Sequence, residues 1–128
     1  YFSLYLHRSV MLDGVHIMVT ATRTLVNIAV TWNTALQACK TMNAYLLTIT
    51  DSNEQAFCGQ PDNYTWIGGS RLLTTDDWQW ETEKTWNYTN WHSSTYSTST
   101  GCLTRANTGS WLSQSCTHSL EYVCERDL

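Results

Sequence analysis

Five cysteines in a chain of 128 residues constrain its fold more than any other feature. They stand at Cys39, Cys58, Cys102, Cys116 and Cys124. No two form a CxxC pair, and His7, His16, His92 and His118 are scattered, so the ligand spacing of a zinc cage is missing. Separated cysteines of this kind point to disulfides and an oxidising compartment. Two Asn-Tyr-Thr sequons, at Asn63 and Asn87, point the same way and mark candidate N-glycosylation sites. The expectation is an extracellular, disulfide-bonded chain. Spacing alone leaves the connectivity open.

The length fits one domain, 1–128, with room for a real core and little for a second. A net charge of −4 gives no reason to expect a polyanionic partner such as nucleic acid. No apolar run approaches the roughly 18 residues of a membrane span; the apolar opening segment is broken by His7, Arg8 and Asp13. The chain starts at Tyr1 rather than methionine, the expectation for a processed product or an excised fragment.

The segment TWNTALQACKTM predicts a helix. Thr31 is placed to cap it, and Trp32, Ala35, Leu36 and Cys39 fall at i, i+3, i+4 and i+7. AYLLTIT reads as a short buried strand. DSNEQAF reads as a second, short helix with Ser52 and Gln55 at capping-box spacing. Upstream, VHIMVTATRTLVNIAV has two β-branched runs around polar Thr22–Thr24, which reads as an N-terminal strand pair. After Gly59 no helical period exceeds a turn. TWIGG, WQWE, CLTRA, SWL and LEYVCE are short strand candidates between polar connections. The fold class is therefore α+β, with helices early and a strand- and loop-rich half late.

The late half also has an order: WIGG at Trp66–Gly69, WQW at Trp78–Trp80, Asn90-Trp91, GCL at Gly101–Leu103, Ser110-Trp111, Cys116 and YVCE at Tyr122–Glu125. With the preceding helix and strand–helix unit, this series resembles the C-type lectin-like domain family over residues 31–126. Residues 1–30 match less well and look longer than the family's usual opening strand. The resemblance implies two helices flanking small antiparallel sheets. It also implies Cys39 paired with Cys124, and Cys102 with Cys116. These links would close loops of about 85 and 14 residues, each contributing on the order of 3–4 kcal/mol on the chain-entropy model. Cys58 is left over, as a buried free thiol or as a bond to another chain or to a cysteine elsewhere.

The family's sugar-binding members hold Ca²⁺ with an EPN- or QPD-type tripeptide after the Asn-Trp position and with the Asn-Asp of a Trp-Asn-Asp tripeptide. The ion takes 6–8 hard oxygens, several of them anionic. Here the corresponding loop, His92 to Gly101, contains no Asp, Glu or Asn, and the tripeptide reads Trp111-Leu112-Ser113. No carboxylate occurs in the 37 residues from Lys84 to Leu120. The chain therefore lacks the family's anionic ligand set, and no cofactor is implied. Gln60-Pro61-Asp62 spells QPD but precedes WIGG, where a turn is the simpler reading.

Glu81 and Glu83 are the one arrangement that suggests paired-carboxylate catalysis, since on a strand they would share a face about 7 Å apart. A solvent-facing edge beside Lys84 is the simpler account. Asp76-Asp77 reads as a turn, and no hydrolase or metal-catalytic motif is present, so the chain is read as a non-enzyme. Trp66, Trp78 and Trp80 are assigned to the core. The candidate contact residues are His92, Tyr96, Arg105, Asn107 and Trp111, with core favoured for Trp111. Tyr and Arg anchor protein interfaces, and a Tyr ring flanked by hydroxyls also suits a sugar face. The expected function is calcium-independent recognition of a protein partner. The alternatives are a lectin with a metal-independent glycan site, or a structural module of a secreted or surface assembly. The last includes a disulfide-linked or non-covalent oligomer.

Overall fold

The computed structural model describes residues 2–12, 15–57 and 63–127. Cys58 and Gln60-Pro61-Asp62 lie outside them. The elements in chain order are β1 (Phe2–Leu12), β2 (Val15–Val30), α1 (Trp32–Thr41), β3 (Tyr45–Leu46), α2 (Ser52–Phe57), β4 (Thr65–Arg71), β5 (Gln79–Trp80), α3 (Ser94–Ser97), β6 (Gly101–Arg105), β7 (Trp111–Gln114) and β8 (Leu120–Asp127). The main path through the sheet runs β1-β2-β8-β4-β6-β7, with β3 on β8 and β5 on β4. Among the pairings of these strands the β4–β8 one is parallel and the others antiparallel.

α1 forms as the sequence predicts. The Thr31 hydroxyl accepts from the Thr34 N–H at 3.4 Å, satisfying one of the amides a helix start leaves open. Trp32, Ala35, Leu36 and Cys39 are its buried face. Asn43, at φ 54°, ends the run. The buried Trp32 indole N–H donates to the Ile67 carbonyl at 2.9 Å, fixing the helix on β4.

Three local expectations differ from the structure. Residues 15–30 form one strand, not two, because Thr22-Arg23-Thr24 has two β-branched residues and no turn residue. The strand pair is instead β1 with β2, whose register closes at Leu12↔Val15. The second helix is capped one residue earlier than expected. Asp51 Oδ1 accepts from the Glu54 N–H at 2.8 Å, and the Glu54 carboxylate accepts from the Thr50 N–H and hydroxyl at 2.6 and 2.9 Å. Glu81 and Glu83 do not share a strand face, since β5 ends at Trp80 and Glu83 takes φ 62° in the following turn.

Two apolar clusters hold the layers. The first gathers Val26, Trp32, Ala35, Leu36, Leu46, Trp66 and Tyr122 around Cys39–Cys124. The second gathers Leu47, Ile49, Ile67, Trp78, Trp80, Leu103 and Trp111, with Trp86, Tyr88 and Trp91 packed against it. The Cys102–Cys116 disulfide pins β6 to the segment before β8. Between β2 and β8, Arg23 Nε donates to Glu125 Oε2 in a buried ion pair. Burial pushes the Glu125 carboxyl above its ordinary range against the lowering effect of Arg23. The same burial, with Glu125 and Asp127 nearby, keeps the Tyr45 phenol protonated. Among the described residues no helix is long and apolar enough to cross a membrane.

Candidate recognition face

The face is built where Asn90–His92 runs beside the start of β7. Trp91 bridges Trp111. The Trp111 N–H donates to the Asn90 carbonyl at 2.8 Å, and the His92 N–H to the Trp111 carbonyl at 2.9 Å. Beneath this ladder Trp111 lies edge-on to Trp80, Trp86, Tyr88 and Trp91, with centroids 5.5–6.0 Å apart, a geometry that matches positive ring edges to negative faces. The turn joining β6 to β7 closes with Ala106 N–H to Ser110 O and Gly109 N–H to Ala106 O, both 2.8 Å. Gly109 sits at φ +90°, a conformation that glycine adopts without a side-chain penalty.

This turn is braced from α2. Gln55 Nε2 donates to the Gly109 carbonyl at 2.7 Å, and Gln55 Oε1 accepts from the Trp111 indole N–H at 3.0 Å. Asn90 Nδ2 reaches the same carbonyl at 3.0 Å. Read from spacing, Gln55 belongs to a capping box; no local signal marks a side chain whose partners lie more than fifty residues away.

The hydroxyl-rich segment after His92 is more ordered than a loop. Ser93 caps the single turn α3, accepting from the Thr95 N–H at 3.4 Å. Hydroxyls then donate to the turn's own carbonyls: Ser97 to Ser94 O, Thr98 and Ser99 to Thr95 O, and Ser113 of β7 to Thr100 O, at 2.6–3.1 Å. The core anchors the turn from below, with Trp78 Nε1 donating to Ser97 O at 3.1 Å. Arg71 clamps it from the side. Its guanidinium donates to Thr98 O at 2.6 Å and to Thr74 O and Asp76 O at 2.9 Å. That clamp orders a loop on which Leu72 and Leu73 stand 62% and 61% exposed.

The contact residues expected from sequence divide into two levels. His92 and Asn107 are exposed and Tyr96 is half-buried. The His92 and Tyr96 rings lie 6.5 Å apart. His92 Nδ1 is 3.3 Å from Ser110 Oγ, which is 2.7 Å from Thr108 Oγ1. Trp111, at 0% exposure, and Arg105, at 4%, lie beneath that surface. Neither presents contact area to a partner, because Trp111 is the centre of the ring cluster and Arg105 follows Cys102, Leu103 and Thr104, all buried. Asn63 and Asn87 are both exposed.

These residues do not fit the Ca²⁺ that the family's sugar-binding sites hold. Leu112 is buried and has no donor oxygen. The Ser and Thr oxygens around α3 are neutral, and those of Ser97, Thr98 and Ser99 are tied to backbone carbonyls, so among the described residues from Lys84 to Leu120 nothing supplies the anionic oxygens the ion needs to replace its water.

Residues 28–126 match the family described as Lectin C-type domain. Human C-type mannose receptor 2 is 31% identical over 103 residues, covering 74% of this chain and 7% of the receptor. Human lymphocyte antigen 75 is 30% identical over 108 residues, covering 78% of this chain and 6% of that protein. The chain thus spans less than a tenth of the length of these relatives. Among solved structures, the carbohydrate-recognition domain of mouse scavenger receptor C-type lectin superposes with a TM-score of 0.76. It is 18% identical, over 84% of this chain and 88% of that one. A calcium-independent type II antifreeze protein superposes with a TM-score of 0.75 at 20% identity, over 94% and 97% of the two chains. At these identities the superpositions establish the fold alone, while the matched residues 28–126 establish membership: the chain belongs to the C-type lectin domain family.

Proposed function

We propose that this chain is an extracellular recognition module that binds a protein surface without calcium, through His92, Tyr96, Asn107, Thr108 and Ser110. The observation that carries this reading is the commitment of the Ser97, Thr98 and Ser99 hydroxyls to backbone carbonyls of their own turn, in a segment with no carboxylate. What remains outward is two rings, an amide and two hydroxyls. Such a surface suits a partner through shape and hydrogen bonding rather than through a metal bridge. Receptor names among the relatives and the calcium-independent antifreeze neighbour support it. The sequons at Asn63 and Asn87, both exposed, are the glycan carriers of this reading. No catalytic role is assigned.

A second reading, metal-independent glycan binding, draws on the His92–Tyr96 ring pair beside Ser110. One experiment separates the two. The purified chain is titrated calorimetrically with CaCl₂, then applied to arrays of receptor ectodomains and of glycans, with calcium and with chelator. Binding to an ectodomain that survives chelation and falls with Tyr96→Ala is the expected result. A 1:1 calcium site of sub-millimolar affinity overturns the reading, and chelator-resistant binding to glycans alone transfers it to the second.

A further inference from the structure

The sheet has one long open edge. β1 runs eleven residues and pairs with β2 from Phe2↔Leu25 to Leu12↔Val15 without a register shift. Among the described residues no strand lies on its other side. At about 3.3 Å per residue the edge extends roughly 36 Å. Natural sheets protect such edges with short strands, prolines, bulges or charged residues. β1 has no proline, no bulge and no carboxylate, and Arg8 is its only fixed charge. Beyond Ala21, where β2 meets β8, the ribbon of residues 7–12 and 15–20 continues with no described third strand. A two-stranded ribbon is at best marginal alone.

The opposite edge cannot take this strand. β7 has four residues, and its outer side is already bridged by Trp91. A β1-to-β7 contact would also be head-to-tail and would not close, whereas a strand pairing with its own copy closes at two chains. We propose that β1 pairs antiparallel with β1 of a second copy, across a two-fold axis, so that one sheet runs through both chains.

Full overlap of residues 2–12 places His7 on the axis. Phe2 then meets Leu12, Leu4 meets Val10, and Leu6 meets Arg8; at the intervening positions Ser3 meets Met11 and Tyr5 meets Ser9. The single arginine never opposes itself, and apolar residues oppose apolar ones at the ends, where cross-strand pairs add to ladder hydrogen bonding. This register fixes a charge test. In a Cys58→Ser background, which removes any bond through the fifth cysteine, the chain is compared with Leu4→Lys/Val10→Lys and Leu4→Glu/Val10→Lys by sedimentation velocity at tens of micromolar. Circular dichroism and thermal unfolding establish that all three are folded.

The parent and the Glu/Lys variant are expected to sediment as dimers. The Lys/Lys variant, with like charges opposed twice, should dissociate at least about tenfold more readily. A monomeric parent overturns the proposal, and so does a Lys/Lys variant as dimeric as the Glu/Lys one. If both double variants unfold, His7→Cys in the same background is the alternative: oxidation to a dimer on non-reducing gels supports the register, and failure to cross-link overturns it. None of these readouts involves the recognition face, so the two proposals fail separately.

Discussion

Replacing Gln55 tests whether α2 holds the recognition face. The Gln55 amide serves two groups of unequal dependence. The Trp111 indole N–H, on a side chain at 0% exposure, donates to Gln55 Oε1 at 3.0 Å. The Gly109 carbonyl accepts from Gln55 Nε2 at 2.7 Å but also from Asn90 at 3.0 Å. Gln55→Met keeps length and helix propensity while removing both polar atoms. Stranding the buried indole costs about 1–3 kcal/mol, and losing one of two donors to Gly109 adds about 0.5–1. The expected destabilisation is therefore about 2–3 kcal/mol, or a fall of roughly 1–1.5 M in the urea midpoint at an m-value of about 2 kcal/mol/M. Asn90→Ala alone should cost less than about 1 kcal/mol, because Gln55 still serves the carbonyl. The double variant should exceed the sum of the two by about 0.5 kcal/mol or more, since Gly109 then loses both donors. A Gln55→Met protein within about 0.5 kcal/mol of the parent, or strict additivity in the cycle, refutes the brace.

Two further outcomes follow from single groups. At Gly101, φ is +147° and an added Cβ would meet the Gln114 carbonyl oxygen at 2.5 Å, so Gly101→Ala should lower stability by at least about 2 kcal/mol in urea unfolding; an unchanged midpoint would show that β6 and β7 separate without cost. Glu125, with its folded pKa raised by burial, retains its proton to higher pH than the unfolded chain does. Its contribution is complete below the ordinary carboxylate pKa of about 4.3 and is lost as pH rises through the folded value. Unfolding free energy should decline from about pH 4 upward by more than in Glu125→Gln, which cannot titrate; equal slopes in the two proteins would count against it.

The parts legible from sequence are those whose partners are local. α1 combines a cap, a single helical period and one apolar face within twelve residues, and it forms as read. The start of α2 is local too, but Asp51 and Ser52 are both capping residues, and only the reach of Asp51 Oδ1 to the Glu54 amide decides between them. Strand identities in the late half follow from short β-branched and aromatic runs. The cysteine pairs do not follow from spacing, and it was likeness to a family that named them. Arg105 shows a different limit. Residue type makes it a candidate contact residue, yet β6 is buried along Cys102–Arg105. A strand buried on both faces has no alternation to warn that a charged residue will go inside.

The recognition face reverses that order. Its sequence signal was an absence, a segment without carboxylates. Absence alone does not distinguish a loose polar loop from a built surface. The structure supplies the distinction through the side-chain hydroxyls, which donate to Ser94, Thr95 and Thr100 carbonyls and so close the turn on itself. With Trp78 and the Arg71 guanidinium holding the same turn by its Ser97 and Thr98 carbonyls, the segment is fixed by hydrogen bonds where an ion would otherwise organise the loop. Each such bond contributes only about 0.5–1.5 kcal/mol net, so rigidity here depends on their number and on the buried rings beneath. That is why the Gln55 brace, which secures Trp111 and Gly109 together, is the position where the face is most easily loosened without touching any residue that a partner would meet.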